Sequence, residues 1–392
     1  MEIYFLSLGM LLLGALLSVV VKEHWKFKVC SIFSFLSAGL MLLPAAAVLL
    51  TGVPLVKTVY LSPICGNVDF VIDPLSAFFV IVISLMSFLG TVYANGYMKP
   101  YLDKGMNVSS HCFFLMMLIA SMLMVVTVQN ALFFLIVWEV MSLSSFFLVI
   151  FEGEKKEVIK AGVKYLVYMH FSVLFILAAF VMLNLHSGSM NFADFAAYAH
   201  QGDKFASLIF MLAFIGFGIK AGFVPFHNWL PDAHPAAPSH VSAVMSGVMI
   251  KTGLYGILRV LFMLGTPTKS VAYTVFVIAL VTALYGILYA LAQRDLKKLL
   301  AYSSIENIGI IGLGIGLGMI GLAYENPLVA MLGFAGGILH ILNHSIFKEL
   351  MFFGAGSVYN RTHTRDMEVL GGLIKKMPKT AFLFIIGAAA IS

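Results

Sequence analysis

Apolar runs long enough to cross a bilayer recur along this chain with only short polar interruptions, and that pattern leaves few folds open. A crossing helix needs about 20 predominantly apolar residues. The runs read as spans over residues 3–21, 29–50, 74–94, 112–128, 131–150, 162–184, 206–224, 241–264, 271–291, 298–322 and 328–356, and a twelfth begins near Ala381 and is cut off at Ser392. Hydrocarbon cannot hydrogen-bond free backbone groups, so runs of this length are helices. Charged residues make up only 11% of the chain, against about 25% in soluble domains. The expected fold class is all-α polytopic membrane protein, with no low-complexity linker and no soluble domain.

The basic residues orient the array. Seventeen of the 24 fall in alternate loops or at their edges: Lys22, Lys26, Lys28, Lys99, Lys104, Lys155, Lys156, Lys160, Lys164, Arg294, Lys297, Lys298, Arg361, Arg365, Lys375, Lys376 and Lys379. The opposite loops hold only Lys57, Lys204 and Lys269. By the positive-inside rule the rich side is cytoplasmic and the N-terminus faces outward, as expected in a cell inner (cytoplasmic) membrane. The net charge of +6 is therefore loop chemistry and implies no nucleic-acid partner. The first span lacks a basic lead and a small-residue cleavage site, so it reads as a span, not a signal peptide. Cys30, Cys65 and Cys112 are scattered, without the spacing of an iron–sulfur or structural zinc site. No phosphate loop is present, and the glycines of 312–321 lie in a span, where small residues allow close helix packing. No cofactor bound by this chain is expected.

Function is sought in the charges that remain inside the apolar runs. A charge near mid-bilayer costs at least ~2.5–3.5 kcal/mol, so such residues mark ion pathways or paired structural charges. Glu139 lies mid-span in the fifth run, Lys220 late in the seventh and Lys251 mid-span in the eighth. The plain structural alternative is that Glu139 and a lysine neutralise each other and hold two helices together. One acid against several bases would leave protonatable groups over, and a buried lysine exchanges protons near neutral pH more readily. His340, His344 and Lys348 recur at i, i+4, i+8, along one helical face, about 6 Å apart per turn. Three aligned titratable groups favour a proton relay over isolated hydrogen-bonding histidines. Glu306 is a candidate partner for that row, and His170 is a weaker candidate.

After Lys220 the apolar run breaks at Pro225, Pro231, Pro235 and Pro238, each of which removes a backbone donor. His227, Asp232, His234 and His240 crowd this break, but their spacing matches no zinc pattern. The break should lie at the cytoplasmic end of the helix, with Lys220 about one and a half turns inside it. It carries no Lys or Arg, and Phe226 and Trp229 favour packing back into the protein. It is expected to shield a water-filled entrance from the cytoplasm to Lys220.

These residues carry a resemblance. Residues 217–234, FGIKAGFVPFHNWLPDAH, resemble the broken seventh helix of the antiporter-like, proton-conducting membrane subunits shared by respiratory complex I, multisubunit Na⁺/H⁺ antiporters and group 4 hydrogenases. Trp138–Glu139, residues 295–303 (DLKKLLAYS) and 344–348 (HSIFK) extend the match over nearly the whole chain. Residues 234–247 (HPAAPSHVSAVMSG), 305–311 (IENIGII) and 364–366 (TRD) before 370–372 are similar to the membrane subunits of the hydrogenase-4 and formate hydrogenlyase type.

The resemblance implies about fourteen helices, with two inverted five-helix repeats after three leading helices. It divides the chain into leading helices 1–3 (residues 1–111), a first repeat (112–264, helices 4–8) and an incomplete second repeat (265–392, helices 9–12). The chain would be truncated near its twelfth helix. It further implies Glu139–Lys220 as the first-repeat pair, Lys251 as the central lysine, and His344 and Lys348 as second-repeat positions. The implied partners are other membrane subunits and peripheral nickel–iron hydrogenase and iron–sulfur subunits. The implied function is proton translocation driven by redox chemistry elsewhere, with a Na⁺/H⁺ antiporter or complex I subunit as the alternative.

Overall fold

The computed structural model describes all residues except 64, 200–204 and 392, so Lys204 and Ser392 lie outside the described residues. In chain order the elements are α1 (Glu2–Val20), α2 (Glu23–Thr51), β1 (Leu55–Ser62), β2 (Gly66–Ile72), α3 (Pro74–Tyr97), α4 (Lys99–Asp103), α5 (Ser109–Val125), α6 (Ala131–Val149), α7 (Lys156–Ser187), α8 (Phe192–Ala199) and α9 (Ala206–Ala221). They continue with α10 (Leu230–Ala236), α11 (Ser239–Val244), a π-helical turn (Met245–Met249), α12 (Ile250–Leu264), α13 (Lys269–Leu291), α14 (Leu296–Ala323), α15 (Pro327–Thr362), α16 (Leu373–Lys376) and α17 (Pro378–Ile391). Among the described residues nine helices are long and apolar enough to cross a membrane, and α5, α9 and α17 are shorter apolar helices. These twelve fall on the twelve expected spans.

Local chemistry sets the helix starts. Asp73, Asn130, Thr268, Asp295 and Asn326 each cap a helix by accepting backbone N–H groups of its first turn. Pro74 and Pro327 occupy first positions, where a missing N–H costs nothing. The bundle turns much of its apolar surface outward: Leu16, Leu174 and Leu288 are exposed, whereas Ser142, Lys220 and Lys251 are buried. The run Ser239–Leu264 is the most enclosed of the spanning helices.

Glycines let α14 pack closely on α15. A Cβ on Gly333 would stand 2.3 Å from the Gly318 nitrogen, and one on Gly314 would stand 2.8 Å from the Gly337 backbone. This is the small-residue packing expected for 312–321.

The connection between α2 and α3 is ordered. It is an antiparallel hairpin, β1 on β2, with an irregularity between Tyr60 and Ser62. Val68, Phe70 and Ile72 alternate inward, the period-2 pattern of a half-buried strand. At the same end of the bundle Arg259 of α12 forks onto Asp73, with Nη1–Oδ2 2.5 Å and Nη2–Oδ1 2.9 Å, and reaches Ser76 at 2.9 Å. The burial that would raise the Asp73 carboxyl is outweighed by this guanidinium, which holds it below the usual carboxylate range. The opposite end gathers the loops rich in basic residues, tied by Arg365–Asp295, Lys164–Asp232 and Arg294–Glu368 ion pairs.

Candidate functional site

Lys220 is fully buried in the last turn of α9. The helix stops right behind it because Gly222 adopts φ +93°, a left-handed conformation glycine enters without steric cost. The N–H groups of Gly222 and Phe223 both return to the Gly218 carbonyl. The break therefore starts before Pro225, and Lys220 is one residue from the helix end, not one and a half turns inside. The lysine amine donates to the Tyr165 hydroxyl of α7 at 3.1 Å and to Ser142 Oγ of α6 at 3.4 Å. It also lies 5.7 Å from the Trp138 ring centre. Tyr165 is in turn 2.5 Å from Ser145 Oγ. Glu139 is half-buried on α6, and no ion pair joins it to Lys220. The lysine rests in a cage of hydroxyls and aromatic faces, with the acid beyond contact.

Lys251 sits two residues past the π-helical segment Met245–Met249. Such segments carry i→i+5 bonds and recur at functional sites. Its amine is held by the Ser246 carbonyl. Ser246 Oγ lies 2.7 Å from Ser304 Oγ, which joins this helix to α14.

The second half of the row is on α15. His344 and Lys348 are fully buried and His340 is half-buried. The His340 and His344 ring centres are 6.4 Å apart, as the one-face spacing requires. His340 Nε2 is 2.9 Å from Asn307 Oδ1 of α14, and Lys348 donates to the Leu300 carbonyl at 3.3 Å. Both ring nitrogens of His344 lack partners among the described residues. Glu306 is half-buried on α14, accepts from Ser303 at 3.3 Å and does not touch Lys348. Among the described residues no carboxylate lies within 4.0 Å of Lys220, Lys251 or Lys348.

A cavity of about 960 Å³ opens at the end rich in basic residues. Glu152, Lys164, Asp232 and Lys297 are among its lining residues. The break 222–238 forms one wall of it, and Lys297 but not Lys220 is among its lining residues. The Lys297 amine is buried and donates to the Ala237 carbonyl at 2.7 Å and to Ser242 Oγ at 3.4 Å. At the rim burial pushes the Tyr101 phenol up, and its 2.7 Å bond to Glu152 adds to that. Burial works to raise Glu152, but hydrogen bonds from Lys155 and Tyr101 hold it below the usual carboxylate range.

The four groups crowding the break do not converge. Asp232 pairs with Lys164 at 2.8 Å, His227 packs on Tyr285, His234 stacks on Phe352, and His240 Nε2 is 2.8 Å from His111 Nε2. His170 is exposed on α7, away from the row. Lys297, Glu349 and His111 are buried polar groups outside the expected site residues, and His111 pairs with His240 of the break. For Lys297 a signal existed: it leads the enclosed face Lys297, Ala301, Ser304, Ile308 of α14, whereas Lys298 does not.

Known proteins align with this chain along most of its length. The family described as NADH:quinone oxidoreductase/Mrp antiporter, TM matches residues 128–392, and that described as NADH-Ubiquinone oxidoreductase (complex I), chain 5 N-terminus matches 64–108. Hydrogenase-4 component B of Escherichia coli (strain K12) is 46% identical over 323 residues, 82% of this chain and 48% of that protein. Formate hydrogenlyase subunit 3 of the same strain is 45% identical over 184 residues, 47% of this chain and 30% of the relative. Na(+)/H(+) antiporter subunit A1 of Staphylococcus haemolyticus (strain JCSC1435) is 32% identical over 87% of this chain and 43% of its own length. The chain thus spans about half or less of the curated relatives it matches. The fold recurs in the Mrp complex from Dietzia sp. DQ12-45-1b (TM-score 0.83, 23% identity, 99% of this chain, 70% of that one). It recurs also in the membrane-bound sulfane sulfur reductase, an archaeal respiratory membrane complex (TM-score 0.85, 23% identity, 99% of this chain, 77% of that one). The chain is a multi-pass integral membrane protein, and these relatives are components of multisubunit assemblies.

Proposed function

Belonging to the NADH:quinone oxidoreductase/Mrp antiporter family of membrane subunits, the chain is, we propose, the proton-translocating subunit of a membrane-bound hydrogenase or formate-hydrogenlyase-like complex. The observation that carries this reading is three buried lysines, Lys220, Lys251 and Lys348, none of them neutralised by a touching carboxylate. An unpaired ammonium inside a bundle is costly to keep and inexpensive to deprotonate, which suits a group that passes a proton on. In this reading Glu139 and Lys220 form the first unit, Lys251 the centre, and His340, His344, Lys348 and Glu306 the second unit. Redox chemistry in partner subunits, nickel–iron and iron–sulfur proteins by analogy with the hydrogenase relatives, would shift charge near Glu139 and drive a proton along the row. The chain would hold no redox centre itself, which its three scattered cysteines support. It would sit in the cytoplasmic membrane with its N-terminus outside, as the loop charges favour.

The 32% identity to a Na⁺/H⁺ antiporter subunit supports a second reading, sodium–proton exchange. The assembled complex in sealed vesicles separates the two. Proton translocation predicts a gradient that a protonophore collapses and that forms without sodium. A sodium-dependent, protonophore-insensitive gradient would overturn proton translocation in favour of exchange.

A further inference from the structure

Glu349 follows Lys348 on α15, is 2% exposed, and neither of its carboxyl oxygens has a hydrogen-bond partner among the described residues. It does not lie on the His340–His344–Lys348 face. Its position is fixed by two glycines. A Cβ on Gly247, in the π-helical turn, would be 3.7 Å from the Glu349 Cβ. On α3, a Cβ on Gly90 would stand 3.4 Å from Glu349 Oε1, 2.6 Å from Val244 and 4.0 Å from the His240 carbonyl. The glycine leaves a notch on α3 that Val244 enters and the carboxyl borders. Two further buried hydroxyls of α3, Ser84 and Ser87, also lack partners. One turn beyond, Tyr93 closes the α3–α15 seam by donating to the Phe353 carbonyl at 2.8 Å.

An ionised carboxylate without partners in such a place is too costly to persist, so the group takes up a proton or a cation. Val244 and the helix backbones crowd the notch, and a cation would need a shell of several oxygens that this space does not offer. The fitting ligand is a proton. The Lys251 amine is held at the Ser246 carbonyl, next to Gly247, whose added Cβ would stand 3.7 Å from the Glu349 Cβ, and Lys348 precedes Glu349 in sequence. The two titratable groups therefore share one buried seam, where their charges are coupled.

We propose that Glu349 is a proton-holding station beside the lysine row, exchanging its proton with Lys251. The exchange conserves charge. One N–H bond of the Lys251 ammonium breaks and one O–H bond forms on Glu349, leaving a neutral amine and a neutral acid; the reverse restores the ion pair. Because the groups are not in contact, the step needs a bridging water or a swing of the lysine chain. The station extends the row toward α3, α11 and the His240–His111 pair.

This inference rests on the proton-translocation reading, so its test has one readout independent of transport. The complete complex is purified with wild-type chain, Glu349→Gln and Glu349→Asp, and infrared difference spectra are recorded across pH in H₂O and D₂O. The wild type should show a carboxylic-acid C=O band that shifts in D₂O, is absent from Glu349→Gln, and reappears displaced in Glu349→Asp. Protons moved per turnover should fall at least about tenfold in Glu349→Gln and recover in part in Glu349→Asp. Identical bands in all three complexes overturn the station, and so does wild-type proton movement in Glu349→Gln. If the glutamine variant does not assemble, the displaced band in Glu349→Asp decides alone. Loss of transport in Lys251→Ala with full transport in Glu349→Gln would remove the station and leave the proton-translocation reading standing.

Discussion

The Lys220 and Lys348 sites present the same group in opposite ways. Each has a fully buried lysine on one helix and a half-buried acid, Glu139 or Glu306, on a neighbouring helix out of contact. Lys220 stands at the end of a helix that Gly222 terminates, among Tyr165, Ser142 and Trp138. Lys348 stands inside the unbroken 36-residue α15, with a backbone carbonyl as acceptor and His344 one turn away. A helix break is therefore not what buries a lysine here. The break ends the α9 ladder beside Lys220 and packs its polar backbone inside protein, which is the condition for irregular structure at membrane depth. The first site depends on a local terminus, the second on long-helix packing.

That contrast can be broken by substitution. Lys220→Met and Lys348→Met should have the largest effects, each lowering protons moved per turnover by about tenfold or more in the assembled complex. Wild-type transport in both variants would mean that neither site is on the path. Gly222→Val should separate them. A β-branched residue at φ +93°, with Leu230 only 2.9 Å from its Cβ, should cost about 1–3 kcal/mol and disturb Lys220 alone. Thermal unfolding would read the loss, and a Lys348→Met background should show the same loss if the sites are independent. Tyr165→Phe removes the hydroxyl that holds Lys220, worth about 1 kcal/mol, so transport should fall several-fold with assembly intact. An unchanged rate would mean that the cage does not orient the lysine.

The smallest effect should come at the cavity rim. Glu152 is held below the usual carboxylate range, so its closure of the α6–α7 turn is complete above the unfolded carboxylate value and is lost as pH falls through its lowered folded value. Glu152→Gln should therefore raise proteolysis of that turn slightly at neutral pH and abolish its acid dependence. A turn equally protected in both chains at every pH would contradict this.

The membrane architecture was legible because an apolar run near 20 residues has few alternatives. The positions of Lys220, Lys251, His344 and Lys348 inside the bundle were legible for the same reason, since a charge in such a run must face protein. Charges near span ends carry no such signal. Lys297 reads as one more cytoplasmic base beside Lys298; its helical spacing puts it on the face of Ala301, Ser304 and Ile308, and packing of α14 against the α10–α11 segment buries it. Glu349 falls outside the i, i+4, i+8 row that picks out Lys348, because consecutive helical residues point apart. The end of α9 was misplaced because four prolines drew attention from Gly222, whose positive φ ends the helix three residues before the first of them.

Proton conduction along the buried lysines is tested most directly at Lys251, which lies between the two sites. The complete complex with Lys251→Ala, sealed in vesicles, should keep electron transfer in its partner subunits while protons moved per electron fall toward zero. An unchanged ratio of protons to electrons, with assembly verified, would contradict a path through this row.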